Sequence, residues 1–264
     1  RSIFSHRLCY TSRTRLIHGP IQKVMASRMT HIRTEDISTS IADALQYISY
    51  YHPPDFVEAM TQAYERETSE PAKNAIAQIL INSRMAAQGR RPVCQDTGIV
   101  VVFAKIGQSV MIEGDSSLQE AIDEGVRRAY TDPDNPLRAS VMTPPIGDRK
   151  NTGDNTPAVV HTEIVPGDTI ELTVAAKGGG SENKARLAML NPSDDIAGWV
   201  TETLPTMGAG WCPPGILGIG IGGTPEKAML MAKESLMAPV DMAGILEQGP
   251  QTPIEKLRLN IYQA

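Results

Sequence analysis

Cysteine is scarce in this chain of 264 residues: there are three, Cys9, Cys94 and Cys212. An odd, widely spaced set does not build a disulfide scaffold. It points to a reducing compartment, where a thiol is either packed and inert or serves as a metal ligand or catalytic group. Basic charge is also in deficit. With 25 Lys and Arg against 30 Asp and Glu, the formal net charge is −5, which excludes a broad electrostatic footprint for nucleic acid. No apolar run reaches the roughly 18 residues of a membrane-spanning helix. The five histidines, His6, His18, His31, His52 and His161, form no H-E-x-x-H pair, and His161 within a strand reads as structural. Neither G-x-S-x-G nor a P-loop lysine occurs, so serine hydrolysis and nucleotide hydrolysis lack support.

Acids are missing altogether before Glu35, whereas seven basic residues (Arg1, Arg7, Arg13, Arg15, Lys23, Arg28 and Arg33) precede it. Such a lead resembles an organelle transit peptide; the alternative is translated sequence upstream of a start at Met25 or Met29. On either reading residues 1–30 are excluded from the fold, which is expected over 31–264. A cytoplasmic location is expected, or a mitochondrial one if the lead is a transit peptide. At the other end Thr252, Pro253 and Glu255 begin a helix whose apolar stripe is Ile254, Leu257 and Ile261. The chain stops inside that stripe without a Gly or Asn, which reads as a fragment.

Between these ends, helical spacing predicts helices over 36–51, 54–67 and 71–87, the last stopped by Gly89. Ile99–Ile106 is β-branched and reads as a buried strand, and 117–130 as a helix. Residues 131–157, rich in Asp, Asn, Pro and Gly, form a loop long enough to be functional. Residues 158–165 and 169–176, joined by "PGD", predict a hairpin. A short helix starts at Ser193, a strand covers 216–221, and a helix covers 224–237. Helices first, then mixed strands and helices, give an α+β class with an N-terminal helical segment and a mixed sheet flanked by helices.

The residues with chemical potential sit at turns. Cys94 lies in "PVCQDTG" and Cys212 in "GAGWCPPG", where Pro213 and Pro214 stiffen the chain. Their separation of 118 residues matches no zinc-ribbon or ferredoxin spacing, so two packed thiols and shared metal ligation both stay open. "KGGGSENK" at 177–184 is either a flexible turn or a set of N–H groups open to an anion, flanked by Lys177 and Lys184. "GIGIGGTPEKAM" departs from the dinucleotide G-x-G-x-x-G pattern and lacks its acidic residue. Its expected role is to seat a helix on the sheet, with Thr224 as cap and Glu226 in the first turn.

Four blocks, "PVCQDTG", "AAKGGGSENK", "GAGWCPPG" and "GIGIGGTPEKAMLMAKE", occur in that order. Together they resemble the N-terminal region of class I fumarate hydratases, the iron–sulfur hydro-lyases that include L-tartrate dehydratase and mesaconase relatives. "ADALQYISYYHPPDF" and "AIAQILINSRMAAQG" are similar to the long single-chain bacterial form. The resemblance covers about Thr30 to Ala264. It implies that 31–264 is an N-terminal catalytic domain, truncated at its C-terminal end. It also implies a [4Fe-4S] cluster held by three cysteines, of which Cys94 and Cys212 would be two. The third would lie beyond this chain, and Cys9 is no substitute. It places Gln95, Asp96, Arg138 and Gly180 around a dicarboxylate, with Asp96 as the proton-transferring acid. It implies a homodimer that hydrates fumarate reversibly to (S)-malate. The alternatives are the same chemistry on L-tartrate or mesaconate, a non-catalytic iron–sulfur or redox protein, and a nucleotide-binding module on "GIGIGG". The only partner otherwise expected is the small dicarboxylate, with no nucleic acid and no membrane.

Overall fold

The computed structural model describes residues 29–212, 214–239 and 242–264, together with the backbone of 6–9. In chain order the elements are β1 (His6–Cys9), β2 (Thr30–Arg33), α1 (Thr34–Tyr50), α2 (Pro54–Arg66), α3 (Glu70–Gly89), β3 (Ile99–Gly107), β4 (Val110–Glu113), α4 (Leu118–Tyr130), β5 (Met142–Thr143), β6 (Lys150–Asn151), β7 (Val159–Val165), β8 (Ile170–Lys177), α5 (Gly179–Glu182), α6 (Ile196–Thr203), a 3-10 segment (Leu204–Trp211), α7 (Pro225–Ser235), α8 (Met242–Gln248) and α9 (Pro253–Gln263). The class is α+β. Among the described residues two compact units emerge: a sheet unit of residues 6–9, 29–51 and 85–177, and a helical unit of residues 52–84 and 178–264.

In the sheet unit, α1 buries Ile37, Ile41, Leu45 and Ile48, the stripe that its spacing predicts. These side chains pack with Ile122 and Val126 of α4 and with Val100, Val102, Leu172 and Val174 of the sheet, forming one apolar core. Burying each such side chain is worth about 1.5–3 kcal/mol. The two helices approach closely because α4 has Gly125 at the contact. A Cβ there would lie 2.5 Å from the Ser38 carbonyl oxygen and 2.7 Å from Ile41 Cβ. Ser38 Oγ, buried in the same contact, donates to the Ala121 carbonyl at 2.7 Å. A capping box of Ser117 and Glu120 starts α4.

The main sheet has the order β1-β8-β3-β7. β7 and β8 therefore do not form the expected hairpin. β3 lies between them, parallel to β7 and antiparallel to β8. The strongly apolar β3 is buried best at the centre of a sheet, and the 166–169 turn wraps over its end. There Gly107 donates to the Thr169 carbonyl and Gln108 to that of Val165. Gly107 has no room for a Cβ, which would meet the Gly167 oxygen at 2.6 Å. β4, absent from the sequence reading, pairs parallel with β2. Of the basic lead, β1 is placed on the sheet edge, antiparallel to β8, although the lead was expected to stay out of the fold. The rest of residues 1–28 lies outside the described residues.

In the helical unit, His52 Nδ1 pairs with Ser83 Oγ of α3 at 2.8 Å, and its ring stacks on Phe56 of α2 at 4.6 Å. Burial pushes this imidazole down to about 4, so it is neutral near pH 7. α9 opens on the expected Thr252–Glu255 capping box. Residues 216–221 are not a strand; they run without regular structure. Their glycines face α7: a Cβ on Gly218 would meet the Ala232 oxygen at 2.2 Å, and one on Gly220 the Ala228 oxygen at 2.0 Å. The glycine run thus seats a helix, as expected, but on an irregular segment rather than on a sheet. Thr224 occupies the cap position of α7, yet its hydroxyl donates to the Glu226 carboxylate at 2.7 Å instead of capping the backbone.

Candidate active site

Cys94 stands in an irregular turn between α3 and β3. α3 includes Gly89, and the left-handed residue that ends it is Arg90, at φ 46°. The turn is anchored to α1 by the Val93 N–H, which donates to the Ser49 carbonyl at 2.8 Å. The thiol is free and half-buried. Its Sγ accepts the Asp96 N–H at 3.4 Å and donates to Gln95 Oε1 at 3.4 Å. A main-chain N–H aimed at sulfur is the partner that supports a metal-bound thiolate. Gln95 is exposed and Asp96 half-buried.

The following residues close the turn onto the loop that carries Arg138. Thr97 Oγ1 donates to the Arg138 carbonyl at 2.6 Å. The buried Tyr130 hydroxyl is shared between the carbonyls of Thr97, at 2.8 Å, and Gly98, at 3.1 Å. Burial holds this phenol above its ordinary range, and the negative charge of Asp96 adds to the effect. Asn155 Nδ2 donates to the Gly98 carbonyl at 3.0 Å, while its Oδ1 accepts the N–H groups of Ser140 at 2.6 Å and Val141 at 3.2 Å. Gly98 itself sits at φ 89°, and a Cβ there would lie 2.7 Å from the backbone of β8. Gln95, Asp96 and Arg138 are thus carried by two loops stitched together, and the exposed Arg138 guanidinium makes no ion pair among the described residues. Sequence reasoning missed Thr97, Tyr130 and Asn155. The usable signal was "DNTP" at 154–157, a polar run just ahead of a strand.

The other candidates belong to the helical unit. "KGGGSENK" contains a helical turn, α5, rather than a loose loop. Gly180 lies in its first turn, where a main-chain N–H has no intrahelical acceptor. α5 packs on the 3-10 segment that leads to Cys212. Lys184 Cε lies 3.1 Å from where a Cβ on Gly210 would be. Glu182 is ion-paired with Lys233. Cys212 is free, half-buried and left-handed, at φ 56° and ψ 63°. An L-residue held there is uncommon and costs roughly 1–2 kcal/mol. Pro213 lies outside the described residues. His161 in β7 packs its ring 5.0 Å from Phe103, as a structural residue does. Among the described residues no three His, Cys, Asp or Glu side chains gather as a metal site, and no helix is long and apolar enough to cross a membrane.

Residues 38–264 match the family described as Fumarate hydratase (Fumerase). The chain belongs to the fumarate hydratase family. It is 36% identical over 210 residues to a putative L(+)-tartrate dehydratase subunit alpha of Methanocaldococcus jannaschii, covering 77% of this chain and 73% of the relative. It is 30% identical over 226 residues to L(+)-tartrate dehydratase subunit alpha of Escherichia coli strain K12, covering 83% of this chain and 72% of the relative. The fumarate hydratase family is one of hydro-lyases, and both relatives are named as alpha subunits.

Proposed function

We propose that this chain is the part of a hydro-lyase that carries Cys94, Asp96 and Arg138, adding water to fumarate to give (S)-malate and reversing the reaction. The observation that supports the reading most is the stitched pair of loops: one carries the half-buried Asp96 and the free thiol of Cys94, and the other the exposed Arg138, which has no ion pair among the described residues. Gln95 and Arg138 bind and orient a substrate carboxylate, the guanidinium by two parallel hydrogen bonds. Asp96 delivers the proton to the carbon next to the one that takes hydroxyl, and removes it in reverse. Gly180, on the helical unit, offers a main-chain N–H to a carboxylate.

Cys94 and Cys212 are proposed as ligands of a [4Fe-4S] cluster. Each fits that role: both are free thiols on turns, and soft sulfur suits iron. The third thiolate comes from outside the described residues. When bound, such a cluster supplies Lewis-acid polarisation of the substrate oxygens. A second reading, the same chemistry on L-tartrate, is favoured by the names of the tartrate dehydratase relatives. The test is anaerobic reconstitution of the full-length enzyme, with any partner subunit, followed by kcat/KM for fumarate, L-tartrate and mesaconate. Fumarate is expected to lead. A higher value for L-tartrate selects the second reading. A complete cluster that turns over none of the three would make the chain part of a non-catalytic iron–sulfur protein.

A further inference from the structure

Asn155 is fully buried and backbone-strained, with φ 63°. Its carboxamide donates to the Gly98 carbonyl, which also accepts from the Tyr130 hydroxyl, on one side and accepts the Ser140 and Val141 N–H groups on the other. An amide is suited to this task because it donates and accepts within one side chain. A carboxylate of the same shape would set an oxygen against the Gly98 carbonyl. An apolar replacement would leave the part-buried Ser140 and Val141 N–H groups without this partner and the buried Gly98 carbonyl with the Tyr130 hydroxyl alone. The residue is itself held in place: Asp154 Oδ1 accepts the Thr156 N–H at 3.0 Å and Oδ2 pairs with Arg127 Nε at 3.1 Å, while the Ala158 N–H donates to Asp123 at 2.7 Å. The 154–158 segment is therefore fixed to α4 from both ends. The two segments that Asn155 ties together are those carrying Asp96 and Arg138, and the Thr97–Arg138 bond runs beside it.

We propose that Asn155 is a positioning residue of the dicarboxylate site, setting the spacing between the Arg138 loop and the Cys94–Gly98 turn without touching the substrate. This rests on the reading of Arg138 as a carboxylate ligand. Its loss lets the guanidinium drift from its productive place, so binding suffers more than chemistry. Asn155→Asp in the full-length, cluster-loaded enzyme is expected to lower kcat/KM by roughly 10- to 100-fold, mainly through KM, with iron content unchanged. Without the cluster, amide exchange in a peptide spanning 138–142 is expected to quicken, while β3 stays protected. Thr97→Val removes one side-chain hydroxyl and avoids any folding defect of the Asn155 variant. It is expected to raise KM in the same direction.

Arg138→Ala alone is expected to cost at least about 30-fold in kcat/KM, the consequence of leaving a charge partner unpaired. Adding Asn155→Asp or Thr97→Val to Arg138→Ala should then change little, because both act through the guanidinium. A wild-type KM in Arg138→Ala overturns the carboxylate reading itself. A normal Arg138→Ala loss combined with fully additive Asn155 and Thr97 effects, or with unchanged exchange over 138–142, overturns the positioning role alone.

Discussion

Cys94→Ser in the assembled enzyme is expected to abolish iron retention while leaving the sheet unit folded. The sulfur is half-buried at a turn and already accepts the Asp96 main-chain N–H. A serine oxygen is smaller, harder and protonated at neutral pH, so it loses the soft-donor match with iron. Removing partners of a metal ligand commonly costs 10- to 100-fold in affinity, so removing a ligand should cost at least roughly 100-fold. The fold should tolerate the change, because the core rests on Ile41, Leu45, Ile122 and Val102 and includes no cysteine. Cys212→Ser should behave alike. Its left-handed backbone is set by the end of the 3-10 segment, where the Cys212 N–H donates to the Ala209 carbonyl, and this bond survives the substitution. The measurements are iron and sulfide per chain after anaerobic reconstitution and purification, with circular dichroism as the fold control. Wild-type iron in either variant removes that cysteine from the ligand set.

The parts of the fold that obey local rules are legible in the sequence. The α1 stripe, the β3 run and the Thr252–Glu255 box each declare themselves within a few residues. What is not legible depends on distant partners. "PGD" between two apolar alternations signals a hairpin, and only the burial of β3 places a third strand between them. The glycines of 216–221 look like strand punctuation until the backbone of α7 is seen against them. The same division runs through the site. Cys94 and Asp96 stand out by residue type within their block, whereas Arg138, in a polar loop, is marked only by the family resemblance. Asn155 acts through groups 57 and 15 residues away in sequence, at Gly98 and Ser140, and an asparagine in a polar loop carries no local mark of such a role. Likewise Thr224 meets the rule for a helix cap, but the Glu226 carboxylate two residues on competes for its hydroxyl.

Asp96→Asn is expected to slow fumarate hydration by about 10²- to 10⁴-fold, the range for loss of a general acid–base group. The substitution is well suited to separating chemistry from support. The contact between Asp96 and the Cys94 sulfur is made by the main-chain N–H, so an amide side chain leaves it in place and the cluster should be retained. Asn matches Asp in shape and can still donate a hydrogen bond to a substrate carboxylate, so KM should move much less than kcat. What Asn cannot do is give up and regain a proton at carbon. Two measurements on the cluster-loaded variant therefore belong together: turnover of fumarate, and exchange of solvent deuterium into malate. Both should fall in parallel if Asp96 carries the proton. Near-normal turnover with full iron content would assign the proton to another group. Loss of iron would make the Asp96 carboxylate a support for the Cys94 turn. Slow turnover with undiminished exchange would show that Asp96 serves carbon–oxygen bond making, because exchange requires the carbon-bound proton to pass through an acid that is still working.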